Sequence, residues 1–179
     1  MLVKTRKNVQ EIDFKLNNYN HIYSSFDPRH YSERALSSNF LAEAKRASRD
    51  KDFGKLKLEL FIPKKKRNRH TESVIQARLK EHFNKHYARI KKEKSEIIKN
   101  GFIFILIGIF TMLVTTWILF SKGPESLFIN NFFIILLEPA GWFLFWEGLN
   151  LLLFEADKND LDLFFYKKMT KCNIDFLSY

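Results

Sequence analysis

At 179 residues the chain has room for one modest domain, and two membrane spans would take roughly 40 of those residues, so any soluble part is small. The hydrophobic fraction of 46% averages two unlike regions, a charged stretch up to Asn100 and an almost charge-free one from Gly101. A formal charge of +10 beside such a segment follows from membrane topology and anionic headgroups, so basicity alone does not point to nucleic acid. The single cysteine, Cys172, excludes an intrachain disulfide and a Cys-based zinc cage, and fits a reducing compartment.

Met1 to Arg6 leads into polar residues rather than an apolar core with a cleavage site, so no secretory signal is expected and the first span serves as its own targeting signal. Ile12, Phe14 and Leu16 then alternate with polar residues and predict a strand. His21, Ser24, Ser25, Asp27 and His30 form a polar loop of the composition that turns ordinarily show. From Tyr31 to Asp50, the recurrence of Leu36, Phe40, Ala44 and Ala47 predicts an amphipathic helix, ended by a turn at Asp52, Phe53 and Gly54. Leu56, Leu58, Leu60 and Ile62 predict a second strand, which makes a right-handed crossover with the first.

Lys64, Lys65, Lys66, Arg67 and Arg69 form the strongest basic cluster. No aromatic residues interleave it and no glycine-rich cradle flanks it. A solvated loop is its default reading, anionic lipid the next, and nucleic acid stands well behind. A second helix starts near Thr71 with Ile75, Leu79, Phe83, Tyr87 and Ile90 on one stripe. No Gly or Pro interrupts His70 to Asn100, so this basic stalk is expected to run directly into the apolar region, closing a cytoplasmic segment over 1–100. His82 and His86 share one face of it, without the further ligands a metal site needs.

Residues 101–121 predict a first transmembrane helix: Gly101 to Phe120 carry no charge, and about 20 residues at 1.5 Å rise span a hydrocarbon core. An external turn at 122–126 leads to a second transmembrane helix over 127–150. Lys85, Arg89, Lys91, Lys92, Lys94 and Lys99 precede the first span, Lys122 alone sits in the turn, and Lys158, Lys167 and Lys168 follow the second. The positive-inside rule therefore puts both flanks of the hairpin in the cytoplasm. Trp117 and Trp146 stand near the headgroup levels.

Antiparallel spans with a symmetric turn reach equal depth where residue numbers add to about 248. Gly108 then meets Ala140, with Gly141 beside it, and small residues there allow close helix packing next to Pro139. The same register places Glu138 near mid-depth, level with Thr111. A carboxyl at that depth must be protonated, bonded to a hydroxyl such as Thr111, Thr115 or Thr116, or turned to a wet interior. Two readings stay open: an ion- or proton-responsive group lining an oligomeric pathway, or a structural carboxyl that pins helices together. Glu147, half a turn out of phase, reads as structural.

Residues 151–179 form a cytoplasmic tail, with a helix from Leu161 to Met169 and a final strand in which Cys172, Ile174 and Phe176 alternate. That strand joins the first two only if both flanks of the hairpin share one side of the membrane. The expected fold class is a membrane α+β protein: a two-helix transmembrane hairpin inserted into a small cytoplasmic domain with a short sheet and two or three helices.

With Leu58 to Pro63 reading LELFIP, a basic helix entering the first span, and the stretches Glu138 to Trp142 and Phe145 to Leu149, the chain resembles a group of small bacterial two-span inner-membrane proteins of unassigned function. The resemblance implies architecture and inner-membrane location, and it supplies no activity and no functional residues. No P-loop, dinucleotide fingerprint, nucleophile elbow or CxxC motif is present, so neither catalysis, a metal nor a cofactor is expected. The leading expectation is a membrane-anchored, self-associating interaction module whose partners are the lipid bilayer, further copies of itself and a cytoplasmic protein. The alternative is an oligomeric membrane-perturbing or ion-conducting effector gated by its cytoplasmic domain, and a membrane-bound enzyme, which would require a clustered set of polar side chains in the folded domain, stands third.

Overall fold

A computed structural model describes residues 9–51, 55–121 and 128–179. The expected turns at 52–54 and 122–126, the start of the second span at Leu127, and the N-terminal Met1 to Arg6 lie outside the described residues. In chain order the elements are β1 (Val9–Lys15), α1 (Ser38–Arg49), β2 (Lys55–Ile62), α2 (Arg69–Phe120), α3 (Phe128–Asn150), α4 (Asp160–Thr170) and β3 (Asn173–Ser178). The fold is a mixed one, a small sheet with helices, two of which are long and apolar. The chain divides into two compact units, Met1–Arg89 with Asp162–Tyr179, and Ile90–Leu161. The division falls inside α2, ahead of its polar-to-apolar step at Gly101.

In the first unit the strands form one parallel sheet in the order β1-β2-β3. The register sets Ile12 beside Leu58 and Leu58 beside Ile174, so the alternating apolar residues of all three strands share one face. Against that face pack Phe40 and Ala44 of α1, Ile75, Leu79 and Phe83 of α2, and Phe165 and Met169 of α4. Leu56, Leu58, Leu60 and Ile62, which alternate along β2, are all buried, as befits the central strand. The other face carries Glu11, Asp13, Lys57, Glu59 and Asp175, and no described helix contributes to a core there. Such one-sided cover is uncommon for parallel strands.

The helix expected over Tyr31–Asp50 is shorter than its periodicity suggested, Ser38–Arg49. Leu36 is buried, yet it pairs as a bridge with Tyr23 rather than joining a helical stripe. The preceding loop has its own hydrogen bonds: Asp27 accepts from the Ala35 N–H, and the Arg34 guanidinium donates twice to the Ser24 carbonyl. Those bonds offer the backbone an alternative to helix over 31–36.

The second long helix starts slightly earlier than Thr71. Asn68 caps it, its Oδ1 accepting from the N–H groups of His70 and Thr71, which satisfies donors that lack intrahelical partners. From Arg69 it continues unbroken for 52 residues to Phe120. This segment and the stretch Asn131–Glu155 are each long and apolar enough to cross a membrane. Pro139 lies inside α3. After Asn150 the chain widens into a single π-helical turn, Leu151–Glu155, closed by the Ala156 N–H on the Leu151 carbonyl at 3.0 Å.

Candidate functional site

Within the second unit α2 and α3 meet along a narrow seam. On α2 the buried residues of the apolar segment are Gly101, Gly108 and Thr115; on α3 they are Ile134, Gly141 and Gly148. Each set recurs at heptad spacing, the repeat of a left-handed antiparallel pair. The backbones touch: a Cβ on Gly108 would stand 2.7 Å from the Phe145 nitrogen and 2.9 Å from the Gly141 carbonyl oxygen. A Cβ on Gly148 would stand 2.7 Å from the Gly101 carbonyl oxygen and 2.8 Å from the Ile105 nitrogen. Close packing at Gly108 and Gly141 was legible from depth matching, but Gly108 faces Gly141 directly, and Ala140 is only half-buried. The partnership of Gly101 with Gly148 was missed, although the seven-residue recurrence was there to find.

Most of the bulky apolar side chains described on the two helices of this unit point outward. Phe102, Leu106, Phe110, Leu113, Trp117 and Phe120 of α2 are exposed, as are Phe132, Ile135, Leu136, Trp142, Phe143 and Trp146 of α3. Small residues fill the seam and large apolar ones face out, the reverse of a water-soluble unit.

Glu138 and Pro139 are also exposed. Glu138 has no hydrogen-bond partner among the described residues, so the expected bond to a hydroxyl is not formed. Each candidate hydroxyl donates within its own helix: Thr111 to the Ile107 carbonyl at 2.8 Å, Thr115 to that of Thr111 at 2.9 Å, and Thr116 to that of Met112 at 2.8 Å. Glu138 instead borders a groove of about 250 Å³ with Met112, Thr115, Thr116, Leu119 and Trp142. Thr111, its expected depth partner, does not line the groove. The reason is direction: Cα–Cβ bonds tilt toward a helix N-terminus, so on antiparallel helices Glu138 reaches outward while Thr115 reaches back toward it. Beyond the apolar segments, Lys94 Nζ lies 2.6 Å from Asp160 Oδ1 and 3.1 Å from Asp157 Oδ1. These carboxylates raise the lysine pKa.

In the sheet-bearing unit the basic cluster is not uniform. Arg67 makes a two-pronged pair with buried Glu72, Nε to Oε1 and Nη2 to Oε2 both at 2.8 Å, and donates to the Phe176 carbonyl of β3 at 3.0 Å. Tyr19 donates to Glu72 Oε1 at 2.9 Å and accepts from the Asn68 N–H at 2.9 Å. The bonds from Arg67, offset in part by burial, hold the Glu72 carboxyl below its usual range. Lys66 donates to the Asn17 carbonyl. Lys64, Lys65 and Arg69 have exposed side chains, and Arg69 borders a shallow cleft with Glu72, Gln76 and Asp175. Arg67 therefore tethers the start of α2 to β3, and the cations of the run outside that tether are the lysines and Arg69.

The His82 and His86 rings lie 4.1 Å apart between centroids, and His86 stacks on Tyr166 of α4 at 5.2 Å. Burial, reinforced by the charges of His86, Arg78 and Arg89, pushes His82 down to about 4, and its Nε2 is buried without a hydrogen bond. Among the described residues three acid, His or Cys side chains converge only at Glu11, Asp13 and Glu59, where Lys57 Nζ lies 2.6 Å from Glu59 Oε1. Burial raises the Cys172 thiol to about 11, which makes it a poor nucleophile. In the loop, Asp27 is held well below the usual carboxylate range by Arg29 and by the Ala35 N–H, which makes it a structural anchor of the turn.

No family model, curated protein or solved structure matches this chain.

Proposed function

We propose that this chain is a two-pass inner-membrane protein whose apolar hairpin anchors a cytoplasmic sheet-bearing unit, and that it acts as a self-associating interaction module. The observation that carries the reading is the parallel pairing of β2 with β3, Leu58 beside Ile174 and Leu60 beside Phe176. These strands precede and follow the two apolar helices. A sheet built from both flanks requires an even number of crossings, and the excess of Lys and Arg on those flanks puts them on the cytoplasmic side. The outward array of large apolar side chains supports the same reading, because a surface so continuous is stable in lipid and aggregates in water. The exposed lysines of 64–66 and Arg69 suit anionic headgroups at the inner face.

Outward-facing Glu138 and Pro139 favour a second reading, an oligomer in which several copies place these groups around a conducting path. One experiment separates the alternatives. The full chain is expressed in a bacterium, extracted with alkaline carbonate, probed by protease in sealed inside-out vesicles, and weighed in mild detergent while membrane permeability is followed. Retention in the pellet, protease access to the sheet-bearing unit, a defined multimer and tight membranes are expected. Release into the supernatant sinks the anchor, a strict monomer sinks self-association, and ion leakage abolished by Glu138→Gln moves the assignment to the conducting oligomer.

A further inference from the structure

We infer that the groove beside Glu138 is a binding site for an apolar organic cation entering from the bilayer, an inference that rests on the membrane reading of the hairpin. The lining is chemically one-sided. Thr115 and Thr116 have given their hydroxyl hydrogens to the carbonyls of Thr111 and Met112, so their oxygens face the groove as acceptors only. Glu138 adds two more oxygens, and Trp142 adds an indole, a ring type that attracts cations, with its N–H as the one strong side-chain donor in the lining. Pro139 carries no N–H, so the Ile135 carbonyl on the same exposed stretch receives no bond from that position.

An acceptor-lined, partly apolar groove repels anions and gives a neutral ligand little to bind. It favours a positive charge spread over an apolar body. Among the described residues of the two apolar helices no such charge is present: neither 101–121 nor 128–150 contains a Lys or Arg, and Lys94 is committed to Asp157 and Asp160. A volume of about 250 Å³ is near the lower end for small-molecule sites, so the cationic centre sits in the groove while the apolar groups extend into lipid. There the bound cation is itself the counter-charge that lets the Glu138 carboxyl stand ionised, and the attraction between the two is far less screened than in water.

The test uses the full chain in mild detergent, titrated with tetraphenylphosphonium by calorimetry and by quenching of tryptophan emission, alongside the neutral triphenylphosphine oxide. Saturable binding of the cation, at least tenfold tighter than of the neutral compound, is expected. Glu138→Gln should weaken it at least tenfold, and Trp142→Leu by a smaller factor. Equal binding of the two compounds, no saturation, or unchanged affinity in Glu138→Gln overturns the site. The comparison of compounds on the unaltered chain holds even if a variant fails to assemble. Carbonate extraction keeps the two readings apart: a membrane-integral chain that ignores the cation refutes the groove alone, whereas an extractable chain that binds it refutes the membrane anchor alone.

Discussion

The two units of this chain bury opposite kinds of residue. In the sheet-bearing unit, Leu58, Leu60, Ile62, Ile75, Leu79 and Phe83 are completely buried and polar groups face out. In the hairpin unit four of the seam's buried residues are glycines, Gly101, Gly108, Gly141 and Gly148, beside Thr115 and Ile134, while phenylalanine, leucine and tryptophan face out. The difference teaches what holds each together. Water drives the first to collapse around large side chains, and what stabilises it is apolar area removed from solvent. On the membrane reading proposed above, no such force acts between the two apolar helices, so packing and backbone proximity decide, and the smallest residues hold the interface. Sensitivity to mutation should therefore run in opposite directions: truncation harms one unit, enlargement the other.

The largest effect is expected from truncating the sheet core. Leu58→Ala should cost about 3 kcal/mol, within the range for large-to-small changes at fully buried sites. Cys172, the only cysteine and buried, gives the readout, because a maleimide pulse on the full chain in detergent labels it only when the unit opens. Leu113→Ala, on the outward face of α2, should change labelling by less than about 0.5 kcal/mol equivalent. Equal effects from the two truncations would break the contrast.

Enlargement sharpens it. Gly108→Ala should loosen the hairpin by roughly 1–3 kcal/mol, because the new methyl meets backbone at 2.7 Å that cannot step aside. Gly141→Ala should cost less: its nearest neighbour is the Met112 Cγ at 2.9 Å, part of a flexible side chain, and backbone is no nearer than 3.3 Å. Engineered disulfide exchange between α2 and α3 on an otherwise cysteine-free chain measures both. A ranking with Gly141→Ala the worse would contradict a seam set by backbone contact.

How much of this was legible in the sequence follows from the same contrast. Period-two alternation marks Ile12, Phe14, Leu58, Leu60, Ile174 and Phe176 because strands facing water on one side must alternate. The stripe Ile75, Leu79, Phe83 and Ile90 is equally plain on a helix half in solvent. In the hairpin every face is apolar, so hydrophobic periodicity vanishes and only the spacing of small residues carries the register. Depth matching came within one residue of Gly108 and Gly141, yet it treats residues as points on an axis. It therefore paired Glu138 with Thr111, whereas the tilt of the side chains brings Glu138 to Thr115 and Thr116. Arg67 looked like one more surface cation, since its partners Glu72 and the Phe176 carbonyl come together only through tertiary structure. Leu36 fitted a helical spacing by coincidence and was claimed by Tyr23 instead.

The smallest effect expected bears on a group that belongs to neither rule, the polar His82 ring packed between the core and Tyr166. Unfolded, this imidazole takes a proton near 6.5; in the fold it does so only near about 4, mainly because of burial and then because of His86, Arg78 and Arg89. Above the higher value both states are neutral and the ring contributes no pH dependence. Between the two values the unfolded chain binds a proton that the folded one refuses, so stability falls as pH drops from 6.5 toward 4 and levels below that. His86 is shifted in the same direction, principally by burial. Because His82 is only partly buried, the loss should be on the order of 1 kcal/mol. Thermal midpoints of the full chain in detergent, followed by circular dichroism across that window, should slope for the natural sequence and flatten for His82→Phe, which keeps the ring contact and removes the proton site. A slope unchanged in His82→Phe would assign the pH response to other groups and leave His82 as packing alone.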